Sequence, residues 1–225
     1  MSQKLSVVIP TLNADQVLPS TLGSLMEGVF AGAISDLVIV DGGSNDATIE
    51  FAKEVGATFL SAKPSRGGQI HKGISQCKCD WVLILHADSR LSQGWAELTP
   101  MPADPERAYY FQLHFDAGGL AAWWVATWAN LRSKIFALPY GDQGLLIHKS
   151  LLASFGGYPT AQLMEDVILA RKLGRRLTAL PITITTSAEK YIAQGWLRRG
   201  FRNLAMLLQF LLGTTPESLY KKYYC

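Results

Sequence analysis

The stretch Leu37–Asp46, which reads LVIVDGGSND, decides the fold class expected for this chain. Its four leading residues are apolar and mostly β-branched, so they predict a short buried strand over Leu37–Val40. The strand ends at Asp41, which two glycines follow. The glycines let the backbone approach a ligand closely, and the carboxylate can accept hydrogen bonds from it. Asp-Gly is also an ordinary turn.

Apolar runs of the same kind recur on both sides of this stretch. The other strands predicted in the first ninety residues are Leu5–Pro10, Ala57–Ser61 and Trp81–Leu85. Helices are predicted between the strands, over Asp15–Glu27, Ala47–Val55 and Gly68–Gln76. Buried strands that alternate with helices are typical of an α/β fold with a mostly parallel central sheet and helices on both faces.

The second half of the chain is less regular. Its predicted strands are Ala108–Phe115, Gly144–Ile147 and Leu177–Thr185. Its predicted helices are Gly119–Leu138, Leu163–Leu173 and the leucine-rich segment Ile192–Leu212. No repeat or low-complexity linker divides these elements, so we expect a single domain over residues 1–225.

The composition argues against two classes of protein. The chain has 225 residues, of which 48% are hydrophobic, and a net charge of only +3, so it predicts neither disorder nor nucleic-acid binding. No signal peptide and no run of about 18 apolar residues is recognisable, which predicts a cytoplasmic protein. The three cysteines, Cys77, Cys79 and Cys225, lack zinc-site spacing and are expected to be reduced thiols.

Polar residues cluster where the predicted parallel strands end. Thr11 and Asn13 follow the first strand, Asp41 follows the second, and His86 and Asp88 follow the fourth. Ligands of such sheets bind beyond the carboxyl ends of the strands, so these side chains predict one shared site.

Asp88 is the predicted metal ligand of that site. A hard divalent cation that bridges two phosphates needs oxygen ligands, and Mg²⁺ typically takes only one or two carboxylates. The cation, Mn²⁺ or Mg²⁺, would neutralise charge that builds on a departing diphosphate. His86 is expected to support the metal or to bind phosphate, with a hydrogen-bonded loop histidine as the alternative.

Two further motifs offer groups for binding and catalysis. Arg66 and Gly67, at a predicted helix start, present a guanidinium and backbone N–H groups to an anion, or merely close a turn. Asp166 is the candidate general base for an acceptor hydroxyl, and Glu165 precedes it; acids at a helix start are also favoured in any protein. Glu165 and the loop residues Asp142 and Gln143 are expected to line the donor or acceptor pocket, with a plain loop as the alternative for the last two.

Two apolar helices remain outside these motifs. Gly119–Leu138 carries Trp123, Trp124 and Trp128, and Ile192–Leu212 combines leucines with arginines. Apolar faces at helical spacing usually belong to the core, which is the expectation here. The alternative is an interfacial surface that contacts a membrane peripherally.

Four motifs together resemble those of the family 2 glycosyltransferases, which have the GT-A (nucleotide-diphospho-sugar transferase) fold. The matching stretches are Val7–Asn13, Val40–Thr48, Leu85–Asp88 and Met164–Val167. The resemblance covers essentially the whole chain. It is closest to a bacterial subgroup, the arsenosugar-biosynthesis-type glycosyltransferases, in Arg66–Gln69, Gly141–Gly144 and Thr186–Ala188.

This resemblance implies inverting, metal-dependent transfer of a sugar from a nucleotide-diphosphate-sugar, expected to be a UDP-sugar, to a hydroxyl of a small-molecule or lipid acceptor. It implies a nucleotide-binding half (residues 1–90), an acceptor half (residues 91–190) and a C-terminal helical segment (residues 191–225). The metal would lie at Asp88 and His86, and the base would be Asp166. The nucleotide contacts would be Pro10, Thr11, Asn13, Asp41, Gly43, Ser44, Arg66, Gly67 and Ala87.

The chain departs from the family pattern at two places. His86 stands where the first acid of a D-x-D motif is typical, so metal binding depends more on Asp88. Glu189-Lys190-Tyr191 replaces an expected basic pair followed by tryptophan. Two alternatives stay open, a nucleotidyltransferase and a non-catalytic, membrane-docking protein that retains the fold. No feature of the sequence predicts an oligomeric state.

Overall fold

The fold is built on one sheet of eight strands. The computed structural model describes residues 4–98 and 104–224. The strands are β1 (Leu5–Thr11), β2 (Ile34–Asp41), β3 (Thr58–Ser61), β4 (Trp81–Ile84), β5 (Ser89–Leu91), β6 (Ala108–Phe115), β7 (Leu145–His148) and β8 (Leu177–Thr186). Their order across the sheet is β3-β2-β1-β4-β7-β6-β8-β5.

The direction of the strands brings distant loops to one edge of the sheet. β1 pairs in parallel with β2 and β4, and β6 pairs in parallel with β8. β7 runs antiparallel to both β4 and β6, and β5 runs antiparallel to β8. The carboxyl ends of six strands therefore lie at the same edge as the amino ends of β5 and β7. We call this edge the carboxyl edge.

Within residues 4–98 and 104–224, ten α-helices flank the sheet or follow it. They are α1 (Leu18–Phe30), α2 (Thr48–Glu54), α3 (Arg66–Gln76), α4 (Trp95–Leu98), α5 (Leu120–Phe136), α6 (Lys149–Ser154), α7 (Glu165–Leu173), α8 (Glu189–Gln194), α9 (Trp196–Leu211) and α10 (Pro216–Tyr224). Among the described residues, none of these helices is long and apolar enough to cross a membrane.

Alternate residues of the buried strands serve the two faces of the sheet. Val7 and Ile9 of β1 pack in one apolar cluster with Leu22 of α1, whereas Val8 packs in another with Ile70 of α3. This alternation is the two-residue period of a strand that is covered on both sides. The predicted fold class, a mostly parallel α/β sheet flanked by helices, is confirmed.

Several boundaries differ from the predicted ones. Helix α1 starts at Leu18 rather than Asp15, because the backbone N–H of Asp15 is bonded to Asp46 in the neighbouring loop (3.1 Å). Helix α3 starts two residues earlier than predicted, at Arg66, since Ser65 caps it. The predicted segment Ile192–Leu212 is divided at Gly195, which has a φ of 83°. Three short elements, β5, α4 and α6, were not predicted.

The expectation that the tryptophans of the fifth helix belong to the core is wrong. Trp123, Trp124 and Trp128 are 58%, 65% and 48% exposed. Helix α5 instead buries small residues, among them Ala122, Ala126 and Ala129. Small residues allow the helix to lie close to the sheet while the large aromatic side chains project outward.

Candidate active site

The carboxylate of Asp41 organises a turn at the end of β2. It is only 1% exposed and accepts hydrogen bonds from the backbone N–H groups of Gly43 and Ser44, both at 2.8 Å. The hydroxyls of Thr11 and Ser44 also donate to it. Gly43 has a φ of 99°, a conformation that a side chain would strain. The carboxylate oxygens of Asp41 therefore accept hydrogen bonds from its own loop and from Thr11 of β1.

The loops after β1 and β2 are joined by further hydrogen bonds. The backbone N–H of Asn13 donates to the Ser44 hydroxyl (2.8 Å), and the Asn13 side-chain oxygen accepts from the N–H of Asn45 (2.9 Å). Asn13 itself has a positive φ of 48°. Pro10 and Thr11 are buried within β1 and support these loops from below.

Gln69 joins the same strands from α3, a role that the sequence did not suggest. Its buried side-chain amide donates to the carbonyl oxygens of Thr11 and Val40, both at 2.8 Å. The ends of β1 and β2 are thus held together, which fixes the spacing of the two loops. The only signal in the sequence was its place beside Arg66 and the two glycines.

Asp88 and His86 lie at the end of β4, as predicted, and both are largely withdrawn from solvent. Burial raises the pKa of Asp88, against the opposing effect of the Lys190 ammonium. Burial lowers the pKa of His86 well below its ordinary value, and the positive charges of Arg66 and Lys190 lower it further. The imidazole is therefore neutral near pH 7. Next to them, the carbonyl of Ala87 accepts a hydrogen bond from Thr21 (2.7 Å).

The turn Gly141–Gln143 reaches this site from the amino end of β7. A methyl group on Gly141 would lie 2.5 Å from Nε2 of His86 and 3.5 Å from Oδ2 of Asp166, so the imidazole and that carboxylate flank the glycine closely. Gln143 is fully buried and bonds to the carbonyl of Phe111 (3.2 Å). Gln143 thus supports the turn, and its role in lining the donor or acceptor pocket stays a prediction.

Asp142 is a partly buried carboxyl with incomplete hydrogen bonding. Within the part of the chain that the structure describes, its Oδ1 atom is buried and has no hydrogen-bond partner. Burial raises the pKa of Asp142 to about 6. The Arg132 guanidinium opposes this change, while the negative charges of Asp166 and Asp88 add to it. Two carboxylates from other segments, Asp88 and Asp166, therefore act on Asp142 at the carboxyl edge.

Asp166 stands at the start of α7 and faces the same pocket. Its Oδ2 accepts a hydrogen bond from the N–H of Gly141 (2.7 Å) and lies 3.7 Å from a guanidinium nitrogen of Arg66. The same guanidinium is hydrogen-bonded to Glu165, whose side chain is fully buried. Arg66 thus links α3 to both acids of α7. The Cβ position of Gly67 is occupied by the backbone of Pro159 and Ala161, so Gly67 serves close packing.

The structure brings most of the predicted residues to one edge but gives them different surroundings. His86, Asp166 and Gly141 line one pocket together with Tyr140 and Tyr158. Asp88 and Asp142 act on each other's charge beside it. Lys190 was not predicted as part of the site. It could have been found, because β8 was predicted and Lys190 follows the end of that strand closely.

The donor set suits a hard divalent cation, although no full set of protein ligands is present. Among the described residues, no three His, Cys, Asp or Glu side chains come close enough to hold a metal. Asp88 and Asp142 are nevertheless carboxyls that burial penalises when ionised, and the imidazole of His86 is neutral. A cation that takes one or two carboxylates and completes its shell with phosphate and water fits these residues.

Comparison with known proteins identifies the family. Residues 6–152 match the family described as Glycosyl transferase family 2. The chain belongs to this family. The predicted family and the prediction of a glycosyltransferase are therefore confirmed, and the nucleotidyltransferase alternative is not supported. The narrower subgroup stays a prediction.

The relatives found among curated proteins are distant and cover part of the chain. The PGL/p-HBAD biosynthesis glycosyltransferases of Mycobacterium bovis and Mycobacterium tuberculosis are 33% identical over 96 residues. That match spans 40% of this chain and 37% of the length of the relatives.

Solved structures share the fold at low identity. The crystal structure of S. aureus TarS 1-349 in complex with UDP-GlcNAc has a TM-score of 0.62 and 16% identity, and covers 82% of this chain and 59% of that one. The crystal structure of GalNAc-T7 with UDP, GalNAc and Mn²⁺ has a TM-score of 0.62 and 15% identity, and covers 83% and 44%. These glycosyltransferases establish the GT-A fold of this family 2 member.

Proposed function

We propose that this family 2 glycosyltransferase transfers a sugar from a UDP-sugar to an acceptor hydroxyl, with inversion at the anomeric carbon and with a divalent cation. One observation carries the proposal: at the carboxyl edge, Asp88 and Asp166 both act on the charge of Asp142, Lys190 acts on that of Asp88, and Arg66 lies 3.7 Å from Asp166. Mixed charge of this kind suits a cation and the diphosphate that it bridges.

Asp88 would hold the cation, with His86 beside it. The ionised form of Asp88 is disfavoured by burial, and a bound cation would remove that penalty. The neutral imidazole of His86 is able to coordinate or to support a ligand. When bound, the cation would neutralise charge on the departing diphosphate. The GalNAc-T7 structure that shares this fold contains Mn²⁺ and UDP, which supports the same ligand class here.

The nucleotide would lie against the joined loops that follow β1 and β2. Gly42 and Gly43 carry no side chains, so a base or ribose can approach the backbone of this turn. Asp41, Ser44 and Asn13 would act mainly by holding these loops in place, since their polar atoms already bond to one another. Arg66 and Lys190 would offer positive charge to the phosphates.

Asp166 would act as the general base. Its Oδ2 atom would accept the proton of the acceptor hydroxyl as that oxygen attacks the anomeric carbon. The bond from the sugar to the diphosphate breaks at the same time, and its electron pair leaves with the diphosphate. One in-line displacement inverts the configuration. The bond from Gly141 and the nearby Arg66 would keep the carboxylate in place during this step.

Binding of UDP with and without Mn²⁺ tests this proposal. In a thermal-shift assay, UDP with Mn²⁺ at 100 times its dissociation constant should stabilise the protein by about 2.7 kcal/mol. The Asp88→Ala variant should lose the part of the UDP affinity that depends on Mn²⁺. Glu50→Ala, which removes an exposed carboxylate on α2, is the matched control and should behave like the wild type. Equal UDP affinity with and without Mn²⁺ in the wild type would contradict the proposed metal dependence.

A further inference from the structure

Helix α5 presents a continuous apolar stripe to solvent. Leu120, Trp124, Leu131 and Ile135 are all exposed, and their spacing of four, seven and four residues keeps them on one side of a helix. Leu120 is 82% exposed and Trp124 is 65% exposed. The opposite side of α5 is already buried by its alanines. The stripe is therefore not used to hold the helix on the sheet.

Helix α9 presents a second stripe of the same kind. Leu197, Phe201 and Leu208 are 75%, 68% and 50% exposed, and Leu212 follows just beyond the end of the helix. Their spacing of four, seven and four residues again keeps them on one side. Within α9 only Leu207 is fully buried. A helix whose apolar side faces water is unusual in a monomeric soluble protein.

The two helices are neighbours and are attached firmly to the rest of the protein. They pack against each other, and Trp196 at the start of α9 stacks on Tyr191 (4.9 Å between ring centroids) and contacts Phe115 of β6 (5.1 Å). Leu207 packs with Val167 of α7 in a separate apolar cluster. We call the two exposed stripes together the α5–α9 face.

Positive charge is concentrated in the part of the chain that contains α9. Residues 189–224 contain six Lys or Arg and two acidic residues, a net charge of +4. The preceding residues contain 15 basic and 16 acidic residues, a net charge of −1. Arg198 and Arg202 follow Leu197 and Phe201 by one residue, so they lie about 100° around the helix from the stripe, at its border. Neither α5 nor α9 contains an acidic residue.

We propose that the α5–α9 face docks on the surface of a bilayer that contains anionic lipids. Tryptophan and phenylalanine enter the boundary between headgroups and acyl chains, and arginines at the border of the face meet the lipid phosphates. The charge distinguishes this occupant from a second copy of the chain. Two such faces packed together would bring like positive charges toward each other, because neither α5 nor α9 contains an acidic residue.

Docking in this way has a consequence for the sugar acceptor. This consequence rests on the proposed function. Helix α7, which carries Asp166 at its start, shares an apolar cluster with Leu207 on the buried side of α9. The bilayer would therefore lie on the outer side of the elements that support the proposed base. An acceptor hydroxyl borne by a lipid fits this placement better than a freely diffusing one.

Co-sedimentation with vesicles tests docking without nucleotide, metal or turnover. The wild type should pellet with vesicles of phosphatidylcholine and phosphatidylglycerol, and should pellet at least tenfold less with phosphatidylcholine alone or at high salt. Trp124→Glu combined with Phe201→Glu should reduce the bound fraction at least tenfold. Phe30→Glu is the matched control, because Phe30 is 83% exposed on α1, outside this face, and should not change binding.

Two results would overturn the docking proposal. The first is a wild type that stays in the supernatant with anionic vesicles. The second is a double variant that binds vesicles as fully as the wild type. This includes the case in which sedimentation velocity shows a dimeric wild type and a monomeric double variant, since the face would then be a dimer contact. Binding of UDP and Mn²⁺ by the same double variant separates the two proposals: loss of docking with unchanged UDP binding leaves the nucleotide site intact.

Discussion

Asp41 and Asp142 lie at the same edge of the same sheet, yet their surroundings are opposite. Asp41 is buried and accepts four hydrogen bonds from its own and the adjoining loop. Asp142 has a buried oxygen without a partner among the described residues, and burial raises its pKa to about 6. A carboxylate that is supplied with donors stabilises the fold. A carboxyl that lacks them is disfavoured in its ionised form until a cation, a proton or a ligand compensates the charge.

The difference follows from how the two residues meet their partners. Gly43 and Ser44 are two and three residues from Asp41, so a single turn supplies three of its four donors. The groups that act on Asp142 come from Arg132, Asp166 and Asp88, which are distant in sequence. A local turn can be built for stability alone. A pocket assembled from several loops holds like charges together, which costs stability and is typical of functional sites.

The largest expected effect is on the rate of sugar transfer, through Asp166 in the pocket beside Asp142. Asp166→Asn should keep UDP binding but lower the rate of sugar transfer by about 10²–10⁴-fold, because an amide cannot accept the proton of the acceptor hydroxyl. Initial rates of UDP release with acceptor present measure the change. Glu50→Gln is the matched control on an exposed helix position. Transfer by Asp166→Asn at the rate of the wild type would remove Asp166 as the base.

The second effect should be a loss of stability when the turn around Asp41 loses its carboxylate. Asp41→Ala leaves two backbone N–H groups and two hydroxyls without their acceptor, so the free energy of unfolding should fall by about 3 kcal/mol. Urea denaturation at pH 7 measures this loss. Asp142→Ala, at the same edge, should not lower stability at that pH. If both variants lose the same stability, the contrast between a satisfied and an unsatisfied carboxyl is wrong.

The third effect, at most as large as the second, should be a change of stability with pH. Since the pKa of Asp142 is raised from 3.8 to about 6, the folded protein holds a proton between these pH values that the unfolded chain has lost. The contribution of Asp142 to the free energy of unfolding should therefore fall by up to about 3 kcal/mol as the pH rises from 4 to 7. Asp142→Asn should be more stable than the wild type at pH 7 and similar at pH 4. Parallel stability curves for the two proteins over this range would exclude the raised pKa.

Much of the fold followed from local pattern. The strands β1, β4 and β8 were predicted within one residue of both observed ends, and β2 within one residue of its carboxyl end, because apolar β-branched runs stopped by Pro, Asp-Gly or His-Ala-Asp mark a buried strand. The short elements β5, α4 and α6 were missed. They contain three to six residues each, too few for a period to be recognised, and β5 is defined by its pairing with β8.

The amino-acid sequence alone determined the alternation of buried strands and helices, the acids at the strand ends and the family resemblance, since each of these is a feature of consecutive residues. Only the tertiary structure decided that Asp41 is satisfied while Asp142 is not, that the charge of Lys190 acts on Asp88, and that the tryptophans of α5 face outward. The physical reason is that hydrogen-bond supply, burial and exposure depend on which distant segments fold against a residue. A helix with two apolar sides does not itself specify which side meets the sheet.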